Sequence, residues 1–285
     1  TFDAVVLKNE AYTNLILSDA YTIKTHYMGM VDKNNKVNFY DGKVRVVSSE
    51  GKEITKFTSD KYLDFINEGV EEHSFIKYPY LKSKGWKGLV EGDDNGIYRV
   101  APLARLNASE GMATPLADEH YKKMFETLGQ KPVHSTLAYH WARLIEVLYA
   151  SENVKQLIND DSITDQNIRQ IPENKPSEGI GIVEAPRGTL IHHYKTDEKG
   201  ILTKVNLIVA TVNNAAAIDM SIRKAAQHLI KDGQVSDGIL NQVEMAFRAY
   251  DPCLACATHS FPGEMPMIID IFDHNKKLVE KIQRD

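Results

Sequence analysis

The sequence predicts an α+β fold, with small antiparallel sheets set against a helical core. Short apolar runs with partial alternation, separated by turn signals, recur over residues 1–60 and 179–211. From residue 115, and again from 218 to 250, apolar residues return at helical spacing instead.

The first sheet comes from residues 5–7, 22–27, 37–40 and 44–47, with turn residues at 32–36 and at Asp41-Gly42. Asp41-Gly42 reads as a hairpin dipeptide, because both residues tolerate positive φ. Residues 73–100 are rich in Tyr, Lys and Gly and read as irregular. Pro115 opens a helix that Gly129 and Pro132 end. Ser135 then caps a stronger helix with Leu137, Trp141, Leu144, Ile145 and Leu148 at helical spacing. His134 and His140 fall on different helix faces, which argues against a metal pair. The polar stretch 160–177 reads as a surface excursion. Strands follow at 179–184, 189–195 and 203–211, with a turn at 197–200 between the last two. Two helices come next, one over 218–229 and one over 239–250 after Ser236-Asp237-Gly238, and 267–272 reads as a strand. The chain divides into a β-rich part, 1–94, a helical core, 95–259, and a tail, 260–285.

Apolar residues make up 42% of the 285 and charged residues 26%, so the chain is globular and not disordered. Lys+Arg is 34 and Asp+Glu is 39, a net charge of −5, which argues against nucleic acid or an anionic membrane as a partner held by bulk charge. No uncharged run is long enough to span a bilayer. The start has no signal-peptide pattern and no initiator Met, so the expected compartment is the cytoplasm and residue 1 reads as a processing boundary.

Both cysteines lie in one Cys-x-x-Cys, Cys253 and Cys256. Three residues apart on a tight turn, two sulfurs can converge on one metal or form a redox pair. They can equally be buried as small hydrophobes. A zinc site needs two more ligands, of which His259 is one candidate. A thioredoxin-like pair follows a strand, whereas this one follows a helix and Pro252. Asp251 places a carboxylate beside the sulfurs, as a hydrogen-bonding neighbour or as ordinary turn chemistry. The second feature is Ala185-Pro186-Arg187-Gly188 between two strands. Arg is always charged and offers a rigid five-donor fork, suited to a cavity that takes anionic ligands or to a solvated turn.

Together these residues resemble the large subunit of nickel–iron hydrogenases, closest to the cytoplasmic, bidirectional, NAD-linked type. Asp251-Pro252-Cys253-x-x-Cys256-x-x-His259 matches the family's C-terminal metal motif, and Glu184-Ala185-Pro186-Arg187-Gly188 its active-site turn. The segment 99–107, Thr211 with Asn213, and His192-His193-Tyr194 add to the likeness, which runs over about residues 95–285.

The resemblance implies a nickel–iron centre held by four cysteines, with CO and cyanide on the iron. Cys253 would be a terminal nickel thiolate that takes the proton from heterolytic H2 cleavage, and Cys256 would bridge the two metals. Pro186 and Arg187 would sit over the open metal position, with Asp251 beside them. Thr211 would contact a cyanide, although Ala210 departs from the family's Pro. His259 would help bind magnesium, and a maturation protease would cut after it, removing 260–285. Implied partners are an iron–sulfur small subunit, NAD-linked diaphorase subunits, the maturation protease and nickel-insertion factors. The family's first Cys-x-x-Cys is not in this chain, and its large subunits are longer. The expectation is therefore the C-terminal part of an unprocessed precursor, inactive by itself, with some normally buried helix faces exposed. A zinc or redox Cys-x-x-Cys module, and a non-catalytic structural relative, are the alternatives.

Overall fold

The computed structural model describes residues 10–169, 171, 173–258 and 267–284. In chain order the elements are α1 (Glu10–Ile16), β1 (His26–Val31), β2 (Lys43–Val47), β3 (Glu53–Phe57), α2 (Tyr62–Phe65), β4 (Ile66–Glu71) and β5 (Ser74–Leu81). They continue with β6 (Tyr98–Arg99), α3 (Pro102–Ala108), α4 (Pro115–Leu128) and α5 (Ala138–Leu157). Then come β7 (Glu178–Ala185), β8 (Gly188–Thr196), β9 (Leu202–Ile208), α6 (Ala210–Asn213), α7 (Ala215–Leu229), α8 (Asp237–Arg248) and α9 (Leu254–Thr258). The hairpin β10 (Met267–Phe272) and β11 (Leu278–Arg284) closes the described chain.

One sheet runs β3-β2-β1-β6, antiparallel except for the parallel β1/β6 pair. A meander β7-β8-β9 forms another, and β4-β5 and β10-β11 are two-stranded hairpins. The α+β expectation therefore holds, with small sheets against helices.

Two apolar clusters form the core. Leu103, Leu106, Met124, Trp141, Ile145, Ala217 and Met220 join α3, α4, α5 and α7. Met28, Val44, Val46, Ile182, Ile191, Ile208 and Val212 join the first sheet to the meander and α6. Strand β1 lies between these clusters and is buried along its whole length. On β1, a Cβ at Gly29 would stand 2.8 Å from the Arg105 Cα, so only glycine lets α3 lie this close.

Several elements form as their sequence signals direct. Helix α4 starts at Pro115 and ends on left-handed Gly129. Helix α8 is capped by Ser236, whose side chain accepts from the Ile239 amide at 3.3 Å. Other elements differ from expectation. Asp41-Gly42 is not a two-residue hairpin. Residues 32–42 join β1 to β2, and the positive φ of 60° falls at Asn35. Gly42 is needed for close approach instead, because a Cβ there would lie 2.5 Å from the Val31 carbonyl oxygen.

The region read as irregular contains strand β5, paired with β4 through Gly69↔Tyr78 and its neighbours. Ser135 does not cap α5. Its hydroxyl donates to the Ile16 carbonyl, and Leu137 stands at the N-cap. Helix α3 carried no amphipathic signal because every one of its residues is buried. The strand expected at 5–7 lies outside the described residues. Val147, Val154 and Leu157 on α5 are exposed. Among the described residues, no helix is long and apolar enough to cross a membrane.

Candidate functional site

The β7/β8 hairpin pairs continuously from Glu178↔Lys195 to Ala185↔Gly188, which leaves Pro186-Arg187 as its two-residue tip. Gly188 has φ 127°, and a Cβ there would lie 2.3 Å from Val100 Cγ2 and 2.9 Å from the Ala101 nitrogen. The tip is thereby seated against the start of α3. Arg187 reaches away from that seat, and its Nε donates to the Asp251 carbonyl oxygen at 2.7 Å. The same nitrogen is 3.4 Å from Asp251 Oδ2, a half-exposed pair.

Asp251 presents its carbonyl because its backbone turns left-handed, with φ 53° just past α8. Its own amide donates back to the Arg248 carbonyl at 2.9 Å. Pro252 cannot continue a helix. Cys253 then stands at the start of α9, its carbonyl accepting from the Ala257 amide at 3.1 Å. The Cys253 amide donates to Thr211 Oγ1 at 3.1 Å, which ties the Cys loop to buried α6. Pro186, Arg187, Thr211, Asp251, Cys253 and Cys256 therefore come together from three separate segments.

Cys253 and Cys256 are joined by a disulfide, with their Cα atoms 5.3 Å apart. This is the two-electron oxidised form of the pair, and metal ligation requires the dithiolate. Cys253 is half-buried and Cys256 exposed. His259 lies outside the described residues. Among the described residues, no group of three or more His, Cys, Asp or Glu side chains is placed to hold a metal. Two sulfurs close together, near a guanidinium, a hydroxyl and a carboxylate, are once reduced a donor set that suits a thiophilic metal.

Sequence reasoning missed the support beneath the Arg turn. Arg105, on α3, is fully buried. Its Nε and Nη2 donate to Glu146 Oε1 and Oε2 at 2.7 Å each, and its Nη1 donates to Glu184 Oε2 at 2.7 Å. The remaining donors reach the Ala185 carbonyl at 2.9 Å and the Pro186 carbonyl at 3.2 Å. Burial opposes the Arg105 charge, but the two carboxylates outweigh it and raise its pKa. Burial pushes the Glu184 carboxyl up, against the pull of Arg105. Glu184 Oε1 also accepts from Thr189 Oγ1 and the Met30 amide, both at 2.9 Å. The available signal was a charged residue inside the apolar run 102–106.

A second cation borders the Cys loop. Arg143 Nη2 donates to the Ala249 carbonyl at 3.0 Å. Burial lowers its pKa, and Asp251 acts the other way. His140 beside it is depressed by burial and by Arg143. Asp251 is thus in contact with the Arg187 guanidinium and also favours the charge on Arg143.

A family model described as nickel-dependent hydrogenase matches residues 5–259. The chain is 46% identical over 283 residues to an F420-non-reducing hydrogenase iron-sulfur subunit of Archaeoglobus profundus, covering 99% of this chain and 58% of that protein. It is 38% identical over 260 residues to the NAD-reducing hydrogenase HoxS subunit beta of Cupriavidus necator, covering 90% of this chain and 52% of that protein. The chain thus spans about half the length of these relatives. A solved NAD+-reducing [NiFe]-hydrogenase in the H2-reduced state is similar with a TM-score of 0.80 at 31% identity, over 90% of this chain and 55% of that one. A [NiFeSe] hydrogenase from Desulfovibrio vulgaris Hildenborough shares the fold, with a TM-score of 0.60 at 21% identity, over 90% of this chain and 57% of that one.

Proposed function

Because the chain belongs to the nickel-dependent hydrogenase family, we propose that it supplies two thiolates and the active-site guanidinium of a nickel–iron centre that splits H2 heterolytically. The observation carrying this reading is the convergence of Arg187, Asp251, Thr211 and the Cys253/Cys256 pair. When bound, the nickel–iron group, with CO and cyanide on its iron, would supply the Lewis acidity of the reaction and take up the two electrons of H2.

The chain's own residues prepare that site. Cys253 and Cys256, reduced, would hold the group through their sulfurs, and Cys253 Sγ would take up the released proton. Arg187 fixes a positive charge on Asp251, two residues before Cys253. Pro186 limits the freedom of the tip. Asp251 anchors the Arg187 Nε, leaving the terminal nitrogens of the fork free to face a ligand. Thr211 anchors the Cys253 backbone and places a hydroxyl where a cyanide could accept from it. His259 would contribute to a magnesium site.

In this reading the chain is the C-terminal part of an unprocessed large subunit, inactive alone and cut after His259 by a maturation protease. Its other partners, in the cytoplasm, are nickel-insertion factors, NAD-linked diaphorase subunits and an iron–sulfur small subunit. The test is Arg187→Lys in the assembled enzyme. H2-dependent dye reduction should fall about 100-fold with nickel and iron content unchanged. Undiminished turnover would contradict the role of Arg187.

A redox Cys-x-x-Cys module is the second reading, favoured by the disulfide itself. Reversible dithiol exchange by a protein that never acquires nickel would select it.

A further inference from the structure

We propose that Arg105 is the positioning residue of the Arg turn, holding the backbone that aims Arg187 at Asp251 and the Cys pair. This rests on the reading of Arg187 given above. An arginine carries five N–H donors in one plane. In Arg105 all five are used, three on the carboxylates of Glu146 and Glu184 and two on the carbonyls of Ala185 and Pro186. Those carbonyls belong to the two residues immediately before Arg187. Arg105 therefore grips the hairpin tip by its backbone, while Arg187 extends from the tip to Asp251.

The grip is itself fixed from every side. The Arg105 stem lies on Gly29, where a Cβ would come within 2.8 Å of its Cα and 3.0 Å of its Cγ. Its guanidinium stacks over the Phe39 ring at 5.0 Å. Glu146 holds it bidentately from α5, and Glu184 holds it from the same hairpin that it supports. A residue needed only to place a positive charge between two buried carboxylates would not require the two carbonyl bonds. Lysine, a point charge with three donors, could supply the same charge but could not make all five bonds.

The experiment uses Arg105→Lys, which keeps the charge, and Gly29→Ala, which displaces Arg105 without altering charge. In the full, metal-free chain labelled uniformly with nitrogen-15, solvent exchange of the Arg187 Nε–H is read by NMR. Amide exchange of Ile191, in strand β8 just past the tip, is the local control. The expected result is at least about tenfold faster exchange at Arg187 Nε–H in both variants, with Ile191 changing far less. Unchanged exchange at Arg187, or acceleration only in step with Ile191, would overturn the proposal.

In the assembled enzyme, Arg105→Lys should lower kcat for H2 oxidation about 100-fold with KM for H2 unchanged, as expected for a misplaced group. If Arg105→Lys frees the Arg187 Nε–H while Arg187→Lys leaves kcat intact, positioning stands and the catalytic reading of Arg187 falls.

Discussion

Gly188→Ala should loosen the whole Arg turn, and its cost can be worked from the structure. Gly188 sits at φ 127°, which only glycine adopts freely. Holding alanine there costs about 1–3 kcal/mol. The new Cβ would also stand 2.3 Å from Val100 Cγ2 and 2.9 Å from the Ala101 nitrogen. The first atom belongs to a fully buried side chain and the second is backbone, so neither yields cheaply. Overpacking of this kind costs about 1–3 kcal/mol. Alanine returns about 0.4–1 kcal/mol by restricting the unfolded chain. The net loss is roughly 1–6 kcal/mol, a large part of the ~5–15 kcal/mol that holds a typical domain together.

Urea unfolding followed by circular dichroism measures it, on chain reduced throughout. Gly181→Ala is the control, since a Cβ at Gly181 on the same hairpin meets nothing within 4 Å. That control should change stability by less than ~0.5 kcal/mol. A Gly188→Ala variant as stable as Gly181→Ala would refute the seating of the turn on α3.

Thr211→Val removes the hydroxyl that accepts from the Cys253 amide at 3.1 Å. Stability should drop by about 1 kcal/mol and exchange at the Cys253 amide should rise. An unchanged exchange rate would mean that the Cys loop is held by something else. His134 gives a pH prediction. Burial, aided by Arg99, depresses it to about 4, while an unfolded histidine titrates near 6.5. Between those values the unfolded chain takes up a proton that the native chain refuses. Stability should therefore fall as pH drops from about 6.5 to 4, by up to a few kcal/mol. His134→Gln should flatten that part of the curve, and identical slopes in the two proteins would rule out His134 as its source.

Much of the meander and the later helices was legible because local signals and tertiary structure agree there. Strands β7 to β9 are bounded by turn residues, and α8 begins at a capping serine. The Cys pair and the Arg turn could be picked out because each is unusual among its immediate neighbours. Elements were missed where context overrides the local signal. Helix α3 is buried on all sides, so it shows no periodic face. Strand β5 contains Pro79 and carries Lys77 between apolar residues, which hides it. The Arg105 network is invisible for a different reason. Its partners Glu146 and Glu184 are 41 and 79 residues away in sequence, and nothing local announces the pairing.

The central claim is that Cys253 and Cys256 ligate a nickel-containing centre. Its most direct test is metal analysis of the matured full-length protein beside its Cys253→Ser and Cys256→Ser variants. The account predicts nickel and iron at one equivalent each in the unaltered protein and loss of nickel in both variants. Zinc at one equivalent without nickel, or nickel retained in both variants, would contradict it.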